Sequence, residues 1–235
     1  MNKPTPVNKT TQAPTLSTGM LFTRLRDDCL PEWEAYTHHD FVRGLAAGTL
    51  PLAAFRTYLV QDYLYLIQYA RAYALAVYKD PDVAGMRRTA RLLAELLDTE
   101  IGLHIAYCRE WGLSEADLAD QPESLELLAY TRFMLDCGQR GDILDLLVSL
   151  SACLVGYAEI GLRVAADPAT SRRDNPYMPW IEIYGGAHYV QLANEGIQRL
   201  DELACSHGAE ARYPMLLRSF RTTVRLEAAF WTPGG

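Results

Sequence analysis

The stretch PLAAFRTYLVQDYLYLIQYARAYALAVYK, residues 51–79, decides the fold class. Thr49 precedes the stretch and Pro51 begins it, and proline suits the first turn of a helix. It runs to Lys79 and stops before Asp80-Pro81, where proline disfavours a helical residue in front of it. Leu and Ala, which are strong helix formers, dominate the interval, and no period-2 alternation is visible. The stretch therefore predicts one long helix.

The same helical signals recur along the rest of the chain. Leu plus Ala total 63 residues, against 18 for Ile plus Val, which favour strands. Asp40 suits a helix N-cap, Gly48 suits a helix end, and Ser114 to Asp117 has the spacing of a capping box. The sequence thus predicts one all-α bundle of about eight helices across residues 20–235, preceded by a disordered tail at residues 1–19. Further predicted helical segments span 81–112, 122–138, 142–166, the region around Trp180, 186–208 and 209–231.

Composition narrows the function classes. The chain has 235 residues, with 22 Lys plus Arg and 29 Asp plus Glu, for a formal charge of −7. An acidic balance disfavours binding to a nucleic acid backbone. No apolar run approaches the roughly 20 residues of a membrane span, and the N-terminus lacks the apolar region of a signal peptide. The cysteines form no C-x-x-C pair, and their odd number does not suit a disulfide framework, so a cytoplasmic location is expected. They are Cys29, Cys108, Cys137, Cys153 and Cys205.

A carboxylate lies within a stripe of tyrosines in the long helix. Residues three and four apart share a helix face, which aligns Tyr58, Asp62, Tyr65, Tyr69 and Tyr73. Burying an aspartate costs several kcal/mol unless it is paired or hydrogen-bonded. Two interpretations follow: an Asp satisfied by a neighbouring Tyr or Arg in the core, or the wall of a pocket that stacks a flat ligand and accepts from its NH groups.

Glu100 and His104 stand at i and i+4 on another predicted helix. The spacing could furnish two metal ligands. It also suits a carboxylate–imidazole hydrogen bond that orients one of the two side chains. The spacing leaves both interpretations open.

Two further positions place a reactive side chain, a thiol or a carboxyl, on an apolar face of a predicted helix. Cys153 and Tyr157 share a face of the helix predicted at 142–166, and the thiol is either a small core residue or a nucleophile. Glu227 shares a face with Phe230 and Trp231. If these groups converge in the bundle, they could hold a nitrogen heterocycle and add a nucleophile to it.

Several segments, in this order, resemble the TenA family, also called thiaminase II or aminopyrimidine aminohydrolase. The resemblance runs from about Phe22 to Trp231. Each segment is a weak signal alone, and their order and separations make the set specific. The segments are Phe41-Val-Arg-Gly-Leu45, Gly48-Thr-Leu-Pro51, Tyr58 to Tyr65, Glu100-Ile-Gly-Leu-His104, Cys153 to Gly161, Tyr177 to Gly186 and Glu227-Ala-Ala-Phe-Trp231.

The resemblance implies a heme-oxygenase-like helical fold, a homotetramer, and a hydrolase of thiamin salvage that needs no metal or organic cofactor. Its substrate would be 4-amino-5-aminomethyl-2-methylpyrimidine, which is converted to the hydroxymethyl pyrimidine and ammonia. Thiamin would also be cleaved to the hydroxymethyl pyrimidine and the thiazole. The ligands expected from the resemblance are therefore small pyrimidines, and the composition adds the expectation of no membrane and no nucleic acid among the partners.

The resemblance also assigns roles by position. Cys153 would be the nucleophile, Glu227 the proton donor to a ring nitrogen, and Asp62 the acceptor for the pyrimidine amino edge. Four tyrosines would line the pocket: Tyr65, Tyr130, Tyr157 and Tyr184. The chain departs from relatives at four positions, where pocket shape is affected more than reaction type: Ala152, Leu154, Val155 and His188.

Two rival functions use the same residues. A metal-dependent oxidase on this fold would take carboxylate and imidazole ligands from Asp62, Glu100, His104, His188 and Glu227. A non-catalytic regulatory protein would keep the pyrimidine pocket and bind without turnover. Metal content tests the first, and tight pyrimidine binding without product tests the second.

Overall fold

Helices form the regular secondary structure of residues 13–232, the part of the chain that the computed structural model describes. These residues contain twelve α-helices, one π-helical segment and no strand. The α-helices are α1 (Met20–Asp27), α2 (Leu30–Thr37), α3 (Asp40–Ala47), α4 (Leu52–Lys79), α5 (Val83–Glu95), α6 (Ile101–Glu110), α7 (Glu115–Ala119), α8 (Leu125–Arg140), α9 (Ile143–Ala166), α10 (Met178–Tyr184), α11 (Ala187–Ser206) and α12 (Ala209–Phe230). The π-helical segment, Leu96–Glu100, joins α5 to α6.

The all-α prediction is confirmed, and so are several helix boundaries. The long helix α4 begins after Pro51 and ends at Lys79. Gly48 ends α3 with φ of 71°, a left-handed conformation that glycine adopts without strain. The predicted capping box of Ser114 is formed with Asp117, and a second one, between Asp142 and Asp145, starts α9.

The number of helices is larger than the predicted eight or so. The first two helices, α1 and α2, carry no strong cap signal, since neither N-cap side chain accepts a hydrogen bond. The segment predicted at 81–112 is divided by the π-helical turn, in which the Ile101 N–H bonds to the Leu96 carbonyl five residues back. The helix predicted from Pro122 begins at Leu125, because Ser124 caps it through the Leu127 N–H.

The predicted disordered tail spans residues 1–19. Its first twelve residues lie outside the described residues. Its last seven residues run along α11, where the Ser17 N–H donates to Asn194 Oδ1 at 2.7 Å and the Thr15 carbonyl accepts from Asn194 Nδ2 at 2.9 Å. Leu16 packs beside Leu154 and Tyr189. These contacts fix the segment to the bundle surface.

Helix α9 forms the centre of the bundle and packs against α2, α4, α8, α10, α11 and α12. Contrary to the prediction that no apolar run could span a membrane, α9 is long and apolar enough to do so. Most of its length is buried by the surrounding helices, as in the core helix of a folded bundle. At Gly161 a Cβ would lie 2.3 Å from the Gly185 nitrogen, so glycine permits close approach of the segment that follows α10. That approach places Tyr184 against Tyr157, with ring centroids 4.9 Å apart.

Candidate functional site

The bundle core brings together all seven residues that the sequence nominates. Helix α4 provides Asp62 and Tyr65, α8 provides Tyr130, α9 provides Cys153 and Tyr157, α10 provides Tyr184 and α12 provides Glu227. Each of them is buried. Helical facing places pairs from one helix side by side, and the packing of five helices around one point supplies the convergence that spacing alone cannot show.

Asp62 is held at one end of this cluster by two donors. Its Oδ2 atom lies 2.7 Å from His104 Nε2 and 3.0 Å from the Tyr58 hydroxyl. Trp180 Nε1 donates to the Tyr58 oxygen at 3.2 Å, which leaves the Tyr58 proton for the carboxylate. The first interpretation of the tyrosine stripe is confirmed, because a neighbouring tyrosine satisfies Asp62. The second, a wall that binds a flat ligand, stays a prediction.

His104 bonds through both ring nitrogens. Its Nδ1 atom lies 2.9 Å from the Glu100 backbone carbonyl, and its Nε2 atom faces Asp62. Burial is the largest single effect and disfavours the charged imidazole, but the hydrogen bond to Asp62 and the charges of Asp62 and Glu100 together outweigh it and raise the pKa of His104. Two acceptors suit an imidazolium, which donates from both nitrogens. The predicted carboxylate–imidazole bond therefore exists, but its carboxylate is Asp62 and not that of Glu100.

The π-helical segment positions Glu100, the last residue of that turn. π-Helical turns are frequent at functional sites. The Glu100 Oε1 atom accepts from the Tyr184 hydroxyl at 2.9 Å. Burial raises the pKa of the Glu100 carboxyl to about 7, with the neighbouring Asp62 charge adding to the effect.

The environment of Glu227 is the opposite of that of Asp62, because no imidazole in the described part of the chain is paired with it. Its Oε1 atom accepts from the Tyr130 hydroxyl at 2.5 Å, and Tyr65 in turn lies 3.2 Å from the Tyr130 hydroxyl. Among the described residues Glu227 forms no ion pair, and only 2% of its surface is exposed. Burial raises its pKa to about 8, so the carboxyl is predominantly protonated at neutral pH.

The Cys153 thiol faces Glu227 and the Tyr65 hydroxyl. Burial is the largest reason that the pKa of Cys153 is well above its ordinary value, and the Glu227 carboxyl adds to it. The thiol is therefore protonated in the free protein. Any nucleophilic role requires that its proton moves to a neighbouring group during the reaction.

Tyrosine rings surround these polar groups. The Tyr65 ring is stacked on the Tyr69 ring with centroids 5.2 Å apart. The centroid of the Tyr130 ring lies 4.9 Å from that of Tyr65. On the other side the Tyr157 ring lies 5.5 Å from Trp231. Such faces can stack a flat heterocycle.

A cavity of about 330 Å³ opens beside the cluster. Glu100, Tyr69 and Leu154 line its inner side, and His188 with Glu95, 3.3 Å apart, lies at its outer side. Cys153, Asp62 and Glu227 do not line it. The cavity is placed to admit a small molecule from solvent toward the cluster, and its volume falls within the range of small-molecule pockets.

The residues of the rival metal site are not arranged as metal ligands. Within residues 13–232 no group of three His, Cys, Asp or Glu side chains is placed to hold a metal ion. His188 lies at the surface with Glu95, while Glu227 bonds to a tyrosine.

Sequence reasoning missed the pairing of His104 with Asp62, since these residues lie on different helices. It also did not include Tyr36 of α2, which stacks on Trp231 with ring centroids 6.0 Å apart. A helix face relates residues of one helix only, so neither contact has a local signal in the sequence. An unusually tyrosine-rich composition was the only general indication.

Comparisons with known proteins agree with this geometry. The model of the TENA/THI-4/PQQC family matches residues 26–234. A protein of Halalkalibacterium halodurans named aminopyrimidine aminohydrolase is 39% identical over 209 residues, covering 88% of this chain and 92% of the relative.

Two solved structures are also similar over nearly the whole chain. A protein of Silicibacter sp. TM1040, described as a TenA family transcription regulator, has a TM-score of 0.85 and 43% identity, covering 91% of this chain and 95% of that one. A TenA homologue from P. horikoshii OT3 has a TM-score of 0.81 and 30% identity, covering 90% and 96%.

Proposed function

The chain belongs to the TENA/THI-4/PQQC family, and on that premise we propose that it converts 4-amino-5-aminomethyl-2-methylpyrimidine to the hydroxymethyl pyrimidine and ammonia. The predicted resemblance to the TenA family is confirmed by the family match and by the structural relatives. The prediction of an enzyme of this hydrolase family is confirmed by the relative named aminopyrimidine aminohydrolase.

One observation supports the mechanism most strongly. The buried Cys153 thiol faces a carboxyl group, Glu227, that is neutral near pH 7. Elsewhere in the same cluster Asp62 is paired with His104. A nucleophile, an acid and an ionic acceptor are the three groups that addition to an aminopyrimidine requires.

The proposed reaction begins with recognition of the ring. Asp62 accepts from the amino edge of the pyrimidine, and the tyrosine rings stack its faces. Glu227 gives its proton to the ring nitrogen, and Sγ of Cys153 adds to a ring carbon. The thiol proton passes to the Glu227 carboxylate that it faces, which restores the acid. The adduct is electron-rich, because the ring is no longer aromatic.

The adduct then expels the amine from the 5-methylene group, and the amine takes the ring N–H proton to depart as ammonia. Water adds to the exocyclic methylene, and its released proton goes to the ring nitrogen. The carbon–sulfur bond breaks with its electron pair on sulfur, the ring nitrogen returns its proton to the Cys153 thiolate, and the aromatic ring is restored as the hydroxymethyl pyrimidine. The net change is one water consumed and one ammonia released. We propose that thiamin, with the thiazole as leaving group, follows the same steps.

The test is product formation by chromatography from each of the two substrates. We expect the hydroxymethyl pyrimidine from the wild type, and a loss of about 10³-fold or more in turnover for Cys153→Ser, because a hydroxyl is a far weaker nucleophile than a thiolate. Cys205 is exposed, so Cys205→Ser is the matched control and should keep full turnover. Full activity of Cys153→Ser would contradict the assignment of the nucleophile.

A pyrimidine-binding regulator is the second candidate, because the relative from Silicibacter is described as a transcription regulator. That function predicts tight binding of the hydroxymethyl pyrimidine with no product from either substrate. The formal charge of −7 disfavours direct contact with DNA. The tetramer, the cytoplasmic location and the absence of nucleic acid partners stay predictions.

A further inference from the structure

Tyr36 is a fully buried tyrosine that the mechanism does not use. Its exposed fraction is 0%, and its ring meets Trp33 edge-on and stacks on Trp231. Its hydroxyl forms no well-aligned hydrogen bond with any described residue. The hydroxyl reaches the Glu227 carboxyl but is poorly aligned with it. Such an arrangement is costly in the free protein, so its presence needs a reason.

Helix α9 leaves room for this side chain. A Cβ at Gly156 would lie 2.4 Å from Tyr36 Cε1 and 2.7 Å from its hydroxyl oxygen. Any larger residue at this position would push the ring away. The glycine therefore permits the tyrosine hydroxyl to reach the interior of the cluster.

The hydroxyl lies beside the Glu227 carboxyl, with Cys153 as its next ionisable neighbour. Glu227 is faced from four helices. The groups are Tyr36 of α2, Asp62 and Tyr65 of α4, Tyr130 of α8, and Cys153 and Tyr157 of α9. None of these is cationic, so a negative charge on Glu227 depends on hydroxyl and thiol donors.

We propose that Tyr36 is a positioning residue for the proton donor: its hydroxyl donates to Glu227 once that carboxyl has given its proton to the bound ring. The inference rests on the proposed function. The neutral acid is already bonded to Tyr130, and the carboxylate formed by proton transfer has capacity for a second donor. A bond that strengthens as charge develops accelerates the chemical step more than it tightens substrate binding.

Tyr36→Phe tests the inference, and Tyr213→Phe is the matched control. The Tyr213 hydroxyl donates to Asp28 Oδ2 at 2.6 Å, far along α12 from the cluster. We expect Tyr36→Phe to keep KM for the aminomethyl pyrimidine within about twofold and to lower kcat by roughly tenfold to hundredfold, the value of a bond to a charged group. The alkaline limb of kcat/KM should move to higher pH. Tyr213→Phe should lower stability and leave kcat and the pH profile unchanged.

A second measurement does not depend on turnover. Infrared titration follows the carbonyl band of the protonated Glu227 carboxyl, assigned by its loss in Glu227→Gln. Without the Tyr36 donor, its midpoint should rise by about half a pH unit or more. An unmoved midpoint overturns the inference, whatever happens to kcat. Failure of the wild type to form product overturns the proposed function instead, and the titration then decides the Tyr36–Glu227 interaction alone.

Discussion

Asp62 and Glu227 are buried carboxyl groups in the same cluster, and the chain surrounds them in opposite ways. Asp62 lies 2.7 Å from His104, an imidazole with donors available on both nitrogens. Glu227 receives a tyrosine hydroxyl and faces a thiol, with no ion pair among the described residues. Pairs of titratable groups whose environments differ in this way mark acid and base assignments. The difference supports the proposal that Asp62 recognises the pyrimidine and that Glu227 donates a proton as a neutral acid.

Among the variants that test this difference between Asp62 and Glu227, Glu227→Gln should have the largest effect, which is on turnover. The amide keeps the shape of the carboxyl but cannot donate an acidic proton, so turnover should fall by about 10²–10⁴-fold. The affinity for the hydroxymethyl pyrimidine should stay near that of the wild type. Steady-state kinetics and calorimetric titration measure the two quantities, and a variant that loses affinity while keeping kcat would reverse the assignment.

Asp62→Asn should produce the complementary pattern. Loss of the carboxylate removes the acceptor for the pyrimidine amino group and the partner of His104, so affinity should fall by roughly tenfold to hundredfold. Calorimetry with the hydroxymethyl pyrimidine measures it, with Glu227→Gln as the comparison. Unchanged affinity would move recognition to another group.

The neutral state of Glu227 also predicts how stability depends on pH. The unfolded carboxyl ionises at its ordinary value of 4.5, while the folded one keeps its proton until about pH 8. The folded state therefore binds more protons between these values, and stability falls as pH rises through this window. Glu227→Gln should remove part of this fall and stabilise the protein by roughly 3–4 kcal/mol at pH 8 relative to pH 5.

Urea unfolding at pH 5 and pH 8 measures that difference. Glu100, whose pKa is raised to about 7, contributes in the same direction, so a residual slope should remain in Glu227→Gln. Glu34 is exposed, and Glu34→Gln should leave the slope as in the wild type. A Glu227→Gln slope equal to that of the wild type would show that Glu227 is ionised in the folded protein.

His104→Gln should give the smallest effect. A glutamine amide can still donate to Asp62 but carries no charge, whereas His104→Phe removes the bond altogether. We expect about a tenfold loss of pyrimidine affinity for Phe and a smaller loss for Gln. Equal affinity in both variants and the wild type would show that His104 does not contribute to pyrimidine binding through Asp62.

The sequence predicts the helical class and the local pairs well. The Tyr58–Asp62 contact follows from i, i+4 spacing, and so does the stacking of Tyr65 on Tyr69. Contacts between helices were beyond local patterns. Glu159 and Arg163 are also i, i+4 on one helix, but each bonds to another helix: Trp33 Nε1 donates to Glu159, while Arg163 donates to the Thr37 carbonyl.

The prediction that the candidate residues form one site came from the family resemblance and not from helical periodicity. Cys153 has a local sequence of small residues that suits an ordinary core thiol, and only its position relative to Glu227 distinguishes it. The π-helical turn at Leu96–Glu100 has no local signal either, since its residues suit an α-helix. Tertiary packing decides both features.

The pH dependence of kcat/KM tests the central claim most directly, because it reports groups of the free enzyme. If Glu227 must be protonated, kcat/KM for the aminomethyl pyrimidine should decline as pH rises through about 8, and the residual activity of Glu227→Gln should lack that decline. A rate that instead rises through pH 8 in the wild type would mean that free thiolate limits the reaction, and it would contradict the role of Glu227 as the neutral acid.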